Sequence, residues 1–108
     1  MIKPSKVVFI NEKLEDNFNS LKDNDPIKKS LIKAIQELRQ NAFAGIQVPK
    51  RLIPKEYIQK YGINNLWKYD LPKAWRLLYT VTADNEVELI SAILEWFNHK
   101  DYEKRMKY

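Results

Sequence analysis

The hydrophobic period changes once along this chain, near residue 66, and that change limits it to helices first and a sheet afterwards. Upstream, Leu14, Phe18 and Leu21 fall at i, i+4 and i+7, and Ile27, Leu31, Ala34, Ile35 and Leu38 continue at helical spacing. Downstream, Trp67, Tyr69 and Leu71 alternate with Lys68 and Asp70. After Pro72, the residues Trp75, Leu77, Tyr79 and Val81 alternate with Arg76, Leu78 and Thr80. Helical and strand periods in separate blocks predict an α+β domain.

Local signals sharpen the boundaries. Lys6-Val7-Val8-Phe9-Ile10 is short, β-branched and apolar, and reads as a first strand. Asn11 is placed to cap a helix whose first turn carries Glu12 and Glu15, acids suited to the positive end of the helix dipole. Asn24-Asp25-Pro26 ends that helix and starts the next, with Asp25 as cap and Pro26 at the first helical position. The second helix fades at Asn41, so the pair reads as an antiparallel helical hairpin with a connection of two or three residues. Residues 43–53 show no sustained period and read as a loop. A short helix is expected from Lys55 to Tyr61, opened by Pro54 and closed by Gly62 as a left-handed cap, and Asn64-Asn65 reads as a turn. Ala83-Asp84-Asn85 reads as another turn, followed by a strand from Val87 to about Leu94. The segment from His99 to Tyr108 is polar and helix-compatible.

Loop parity then predicts which side chains share a face. Three loop residues, Pro72-Lys73-Ala74, pair Leu71 with Trp75 and keep Trp67, Tyr69, Leu71, Trp75, Leu77, Tyr79 and Val81 together on the helix-packed face. The same register gathers Lys68, Asp70 and Arg76 on the opposite face, which is expected to be open and basic. The architecture expected is an N-terminal strand, the helical hairpin, then a three-stranded antiparallel meander packed on the helices, and a short C-terminal helix. The 108 residues suffice for one domain, 1–108.

Composition excludes several chemistries. Gly45 and Gly62 are the only glycines, too far apart for a Gly-rich phosphate loop. Without cysteine there is no disulfide, thiolate nucleophile or Cys-based zinc site, and a single histidine excludes a two-His metal site. No cofactor is expected. No run of about 18 apolar residues or signal peptide is evident, so the expectation is a soluble, intracellular protein without a membrane partner. Nineteen Lys and Arg against fourteen Asp and Glu give a net charge of +5. Between residues 50 and 79, Lys50, Arg51, Lys55, Lys60, Lys68, Lys73 and Arg76 face only Glu56 and Asp70, so this stretch carries the whole excess. A basic middle on a small domain suggests a polyanionic partner; a solvated lysine-rich surface is the plainer reading.

Two segments carry a resemblance. Leu66-Trp-Lys-Tyr-Asp-Leu-Pro-Lys-Ala-Trp-Arg-Leu-Leu-Tyr-Thr-Val and Ile93 to His99-Lys100-Asp101-Tyr102 resemble the RelE/ParE superfamily of toxins from type II toxin–antitoxin systems. The first is similar to the family's strand, turn and aromatic-Arg-apolar-apolar-Tyr strand, the second to its terminal basic and tyrosine cluster. Residues 48–64 are longer than in a minimal member. The resemblance implies a RelE-like fold and a cytoplasmic prokaryotic protein neutralised by a cognate antitoxin. RelE-like members cut mRNA on the ribosome; ParE-like members poison DNA gyrase and lack the nuclease residues. The fold is shared, so it does not choose between them.

Cleavage by the RNA 2′-hydroxyl needs a base for that hydroxyl, charge stabilisation at the phosphorane and an acid for the leaving 5′-oxygen. No metal is required. By resemblance, Arg76 binds the scissile phosphate, where its planar fork suits two oxygens at once. Its plainer reading is a surface arginine paired with Asp70 across the hairpin. Lys68 matches a family lysine, whereas the next inward family lysine is replaced by Asp70. That carboxylate is either the base or a sign that nuclease activity is lost. His99, Lys100 and Tyr102 form a cluster able to supply acid, base and cation, with a polar helix start and Tyr102 packed on the core as the alternative reading. Tyr108 remains a second tyrosine candidate. Lys73 reads as solvated, Lys104 and Arg105 as contacts to rRNA or antitoxin, and the stripe Trp67, Tyr69, Trp75 and Tyr79 as core.

Overall fold

The computed structural model describes residues 2–83 and 89–106. It is an α+β domain with strands β1 (Ser5–Phe9), β2 (Ile46–Gln47), β3 (Trp67–Leu71), β4 (Trp75–Ala83) and β5 (Leu89–Phe97), and helices α1 (Glu12–Ser20), α2 (Pro26–Gln40), α3 (Lys55–Tyr61) and α4 (His99–Met106). The expected turn at Ala83-Asp84-Asn85, the start of the last strand at Val87, and Tyr108 fall wholly or partly outside the described residues.

The capping signals act as the sequence suggests. Asn11 accepts a hydrogen bond from Leu14 N–H at 2.8 Å, and Asp25 accepts one from Ile27 N–H at 3.0 Å with Pro26 opening α2. Gly62 closes α3 at φ 65°, a left-handed conformation that glycine adopts without steric cost. The connection between α1 and α2 is longer than expected, covering residues 21–25. Both helices make their main contacts with the sheet rather than with each other.

The three-stranded meander forms, and its register is the expected one: Leu71 pairs with Trp75, Asp70 with Arg76 and Lys68 with Leu78. The three-residue connection holds Lys73 and Ala74 at φ 60° and 62°. Trp67, Tyr69, Leu71, Trp75, Leu77, Tyr79 and Val81 accordingly lie in one core with Leu31, Ala34 and Leu38 of α2.

Three expectations need correction. The sheet is mixed and five-stranded, in the order β1-β5-β4-β3-β2, because β1 pairs in parallel with β5. The loop expected at 43–53 contains β2, which pairs with β3, and a 3₁₀ turn at Lys50–Leu52. The second sheet face is also not open along its length. Val48, Ile53, Tyr57, Ile63 and Leu66 from the segment between β2 and β3, with Tyr102 and Met106 of α4, pack there on Leu78, Leu94 and Phe97. The physical reason is that this segment and α4 carry apolar residues that have only this face left to cover.

A bulge in β5 completes the frame. Leu78 pairs with Glu95 but Tyr79 with Ile93, so Leu94 is the extra residue. Leu94 and Glu95 therefore both address α3 and α4, against the alternation of an unbroken strand.

β2 is pinned where a small residue is needed. Gly45 N–H donates to the Tyr79 hydroxyl at 3.0 Å, and that hydroxyl donates to Ala42 C=O at 2.9 Å. Burial pushes the Tyr79 pKa up to about 12, the Gly45 N–H partly offsetting it, so the hydroxyl stays a neutral donor. A Cβ on Gly45 would lie 2.4 Å from the Lys68 carbonyl oxygen and 2.8 Å from the Tyr79 hydroxyl. Gly45→Ala should therefore push β2 off β3 and cost about 1–3 kcal/mol in a denaturant titration. Wild-type stability would contradict this packing.

Candidate functional site

Lys68 and Asp70 are two apart on β3, so their side chains share a face, and the register sets Arg76 of β4 directly opposite Asp70. Arg76 Nε lies 3.0 Å from Asp70 Oδ1 and Lys68 Nζ 3.8 Å from the same oxygen. The Arg76 side chain is 18% exposed and that of Asp70 51%. The buried Arg76 Nε–H is not aimed at the carboxylate and makes no hydrogen bond, so the contact is an ion pair of imperfect geometry. Arg76 Nη1 donates to the Trp75 carbonyl at 3.1 Å.

α4 brings the fourth member. Asn98 caps it, accepting from Asp101 N–H at 2.9 Å, and one turn later Tyr102 is buried against Phe97, edge to face. The Arg76 guanidinium stands 5.7 Å from the Tyr102 ring centre and Lys68 Nζ 6.0 Å from it, cation–π distances. Arg76, Lys68, Asp70 and Tyr102 thus form one cluster of two cations, one carboxylate and one ring. Its net charge is positive, and its guanidinium keeps unspent donors beside an ammonium, the arrangement that grips a phosphate or carboxylate.

His99 and Lys100 occupy the exposed first turn of α4, one turn before Tyr102. His99 Nε2 pairs with the Glu103 carboxylate in the next turn rather than with Arg76 or Lys68. Lys100 makes no ion pair among the described residues. The plainer reading of Arg76 as a partner of Asp70 across the hairpin also describes a contact that is present.

Sequence reasoning missed a second polar cluster on the same sheet face. Tyr57 donates to Glu95 Oε1 at 2.6 Å, and Arg105 Nε lies 3.0 Å from that oxygen. Arg105 Nη1 also donates to Glu56 Oε2 at 2.6 Å, and its guanidinium stands 5.8 Å from the Tyr57 ring. Arg105 therefore joins α4 to β5 and α3 through the carboxylates of Glu95 and Glu56. Burial drives the Tyr57 pKa up, reinforced by Glu95, so its hydroxyl stays protonated. Burial opposes the charge on Arg105, but Glu95 and Glu56 outweigh it and the guanidinium stays charged. One signal was available: Glu95 interrupts the apolar run Ile93-Leu94-Glu95-Trp96-Phe97, and a carboxylate there needs a partner.

Among the described residues, no helix is long and apolar enough to cross a membrane, and no group of three His, Cys, Asp or Glu side chains could hold a metal ion. Comparison with protein families, with characterised proteins and with solved structures gives no match for this chain.

Proposed function

We propose that this protein is a RelE-like toxin of a type II toxin–antitoxin system that cuts mRNA on the ribosome by 2′-hydroxyl attack. The observation that carries the reading is the cluster of Arg76 and Lys68 over Tyr102, with the half-exposed Asp70 beside both cations. Arg76 takes the scissile phosphate and stabilises the charge that grows on the phosphorane, with Lys68 and Lys100 as electrostatic support. Tyr102 holds the two cations side by side from beneath. His99, oriented through Nε2 by Glu103, keeps Nδ1 for proton transfer to the 5′-oxygen. Asp70, half exposed beside both cations, is the base for the 2′-hydroxyl. An antitoxin that covers this face would silence it, and the cytoplasm is where ribosome and antitoxin meet.

One observation favours a second reading. Asp70 already neutralises part of the charge on both Arg76 and Lys68, as expected of a ParE-like gyrase poison that has no phosphate to bind. Inducible expression separates the two. The nuclease reading predicts growth arrest with new mRNA ends on translating ribosomes. Arrest with intact mRNA and a DNA-damage response would replace it with the gyrase reading.

A further inference from the structure

The basic run between residues 50 and 79 divides in the structure into two groups. Lys68 and Arg76 share Asp70 within the cluster described above. Four others, Lys50, Arg51, Lys55 and Lys60, stand exposed on the 3₁₀ turn and on α3, while Lys73 sits apart in the connection between β3 and β4. The one acid in that stretch, Glu56, is taken by Arg105 at 2.6 Å. None of these four cations has an ion-pair partner among the described residues; Lys60 only overlies the Tyr61 ring at 5.3 Å.

The four charges are held in place from below. Ile53 and Tyr57 anchor the segment in the core that contains Tyr102, and β2, just upstream, pairs Ile46 with Lys68. The unneutralised stretch is therefore packed on the same sheet face as the Arg76 cluster. Concentrating like charge on an ordered element costs self-repulsion, which a polyanion relieves. Leu52 and Ile58 are exposed as single side chains, too little for the apolar centre of a protein interface.

We propose that residues 50–60 form a docking surface for the RNA phosphate backbone, through Lys50, Arg51, Lys55 and Lys60, beside the Arg76 site. That the polyanion is RNA rests on the function proposed above; that the surface binds a polyanion rests on its own charges. Each phosphate neutralised on a single strand contributes about 0.7 to the slope of log affinity against log salt.

The test is binding of a labelled single-stranded oligoribonucleotide with 2′-O-methyl sugars, which cannot be cut, followed over a range of salt. Replacing all four residues by Gln should lower the slope by about three and the affinity at physiological salt by at least about tenfold. Should that variant fold poorly by circular dichroism, Lys55→Gln with Lys60→Gln should give about half the slope change. An unchanged slope in a folded variant would overturn the proposal. So would tighter binding of a polyglutamate peptide than of RNA, which would mark an acidic protein as the partner. A reduced slope without mRNA cleavage in cells would leave this surface standing and sink only the nuclease.

Discussion

Arg76→Ala is expected to slow mRNA cleavage by about 10²- to 10³-fold while leaving the fold intact. The rate loss follows from removing the one planar, permanently charged donor in the cluster, at the point where negative charge develops. Lys68 does not replace it, because an ammonium is a point charge without the fork that holds two phosphate oxygens. The effect on stability is small by comparison. A cross-strand ion pair to a half-exposed carboxylate contributes about 0.2–1 kcal/mol, and the cation–π contact with Tyr102 adds about as much. Asp70 is not stranded, since Lys68 remains 3.8 Å away. Cleavage assays beside a denaturant titration check both halves. A folded variant that cuts at the wild-type rate would remove Arg76 from the chemistry.

The largest expected loss of stability comes from Glu95→Ala, at about 2–4 kcal/mol by denaturant midpoint. Glu95 accepts from the Tyr57 hydroxyl and faces Arg105 with both oxygens, at 3.0 Å from Nε and 3.3 Å from Nη2. Its removal leaves a buried hydroxyl without an acceptor and a guanidinium held only by Glu56, near the rim. Glu95→Gln should cost about half as much, because the amide oxygen still accepts from Tyr57 while the charge is lost. Glu56→Ala should cost under about 1 kcal/mol, since that carboxylate is 56% exposed and screened by water. Equal losses at Glu56 and Glu95 would contradict the ranking by burial.

The difference between the two clusters also explains what was legible in the sequence. Lys68, Asp70 and Arg76 could be placed together because their positions depend on a period of two and on loop parity, both local properties. The core stripe from Trp67 to Val81 follows from the same rule. The second cluster depends on the Leu94 bulge, which adds one residue to β5 and turns Glu95 toward Tyr57 and Arg105. No local pattern announces a bulge; only the misplaced charge of Glu95 hinted at it. The parallel pairing of β1 with β5 was equally hidden, since it joins segments more than eighty residues apart, as in the Ser5–Ser91 hydroxyl contact at 2.8 Å. The covered second face was hidden for a related reason. Residues 48–63 have no continuous period, and their apolar side chains reveal a target only once β2 has turned them onto the sheet.

If this sheet face cuts RNA by 2′-hydroxyl attack, the chemistry of the new ends will show it. Purified protein would be added to ribosomes paused on a defined message, and the fragments sequenced and their termini typed. The expected result is cuts on the ribosome-bound message, with 2′,3′-cyclic phosphate on the upstream fragment and 5′-hydroxyl on the downstream one. An intact message, or cuts ending in 3′-hydroxyl and 5′-phosphate, would contradict it.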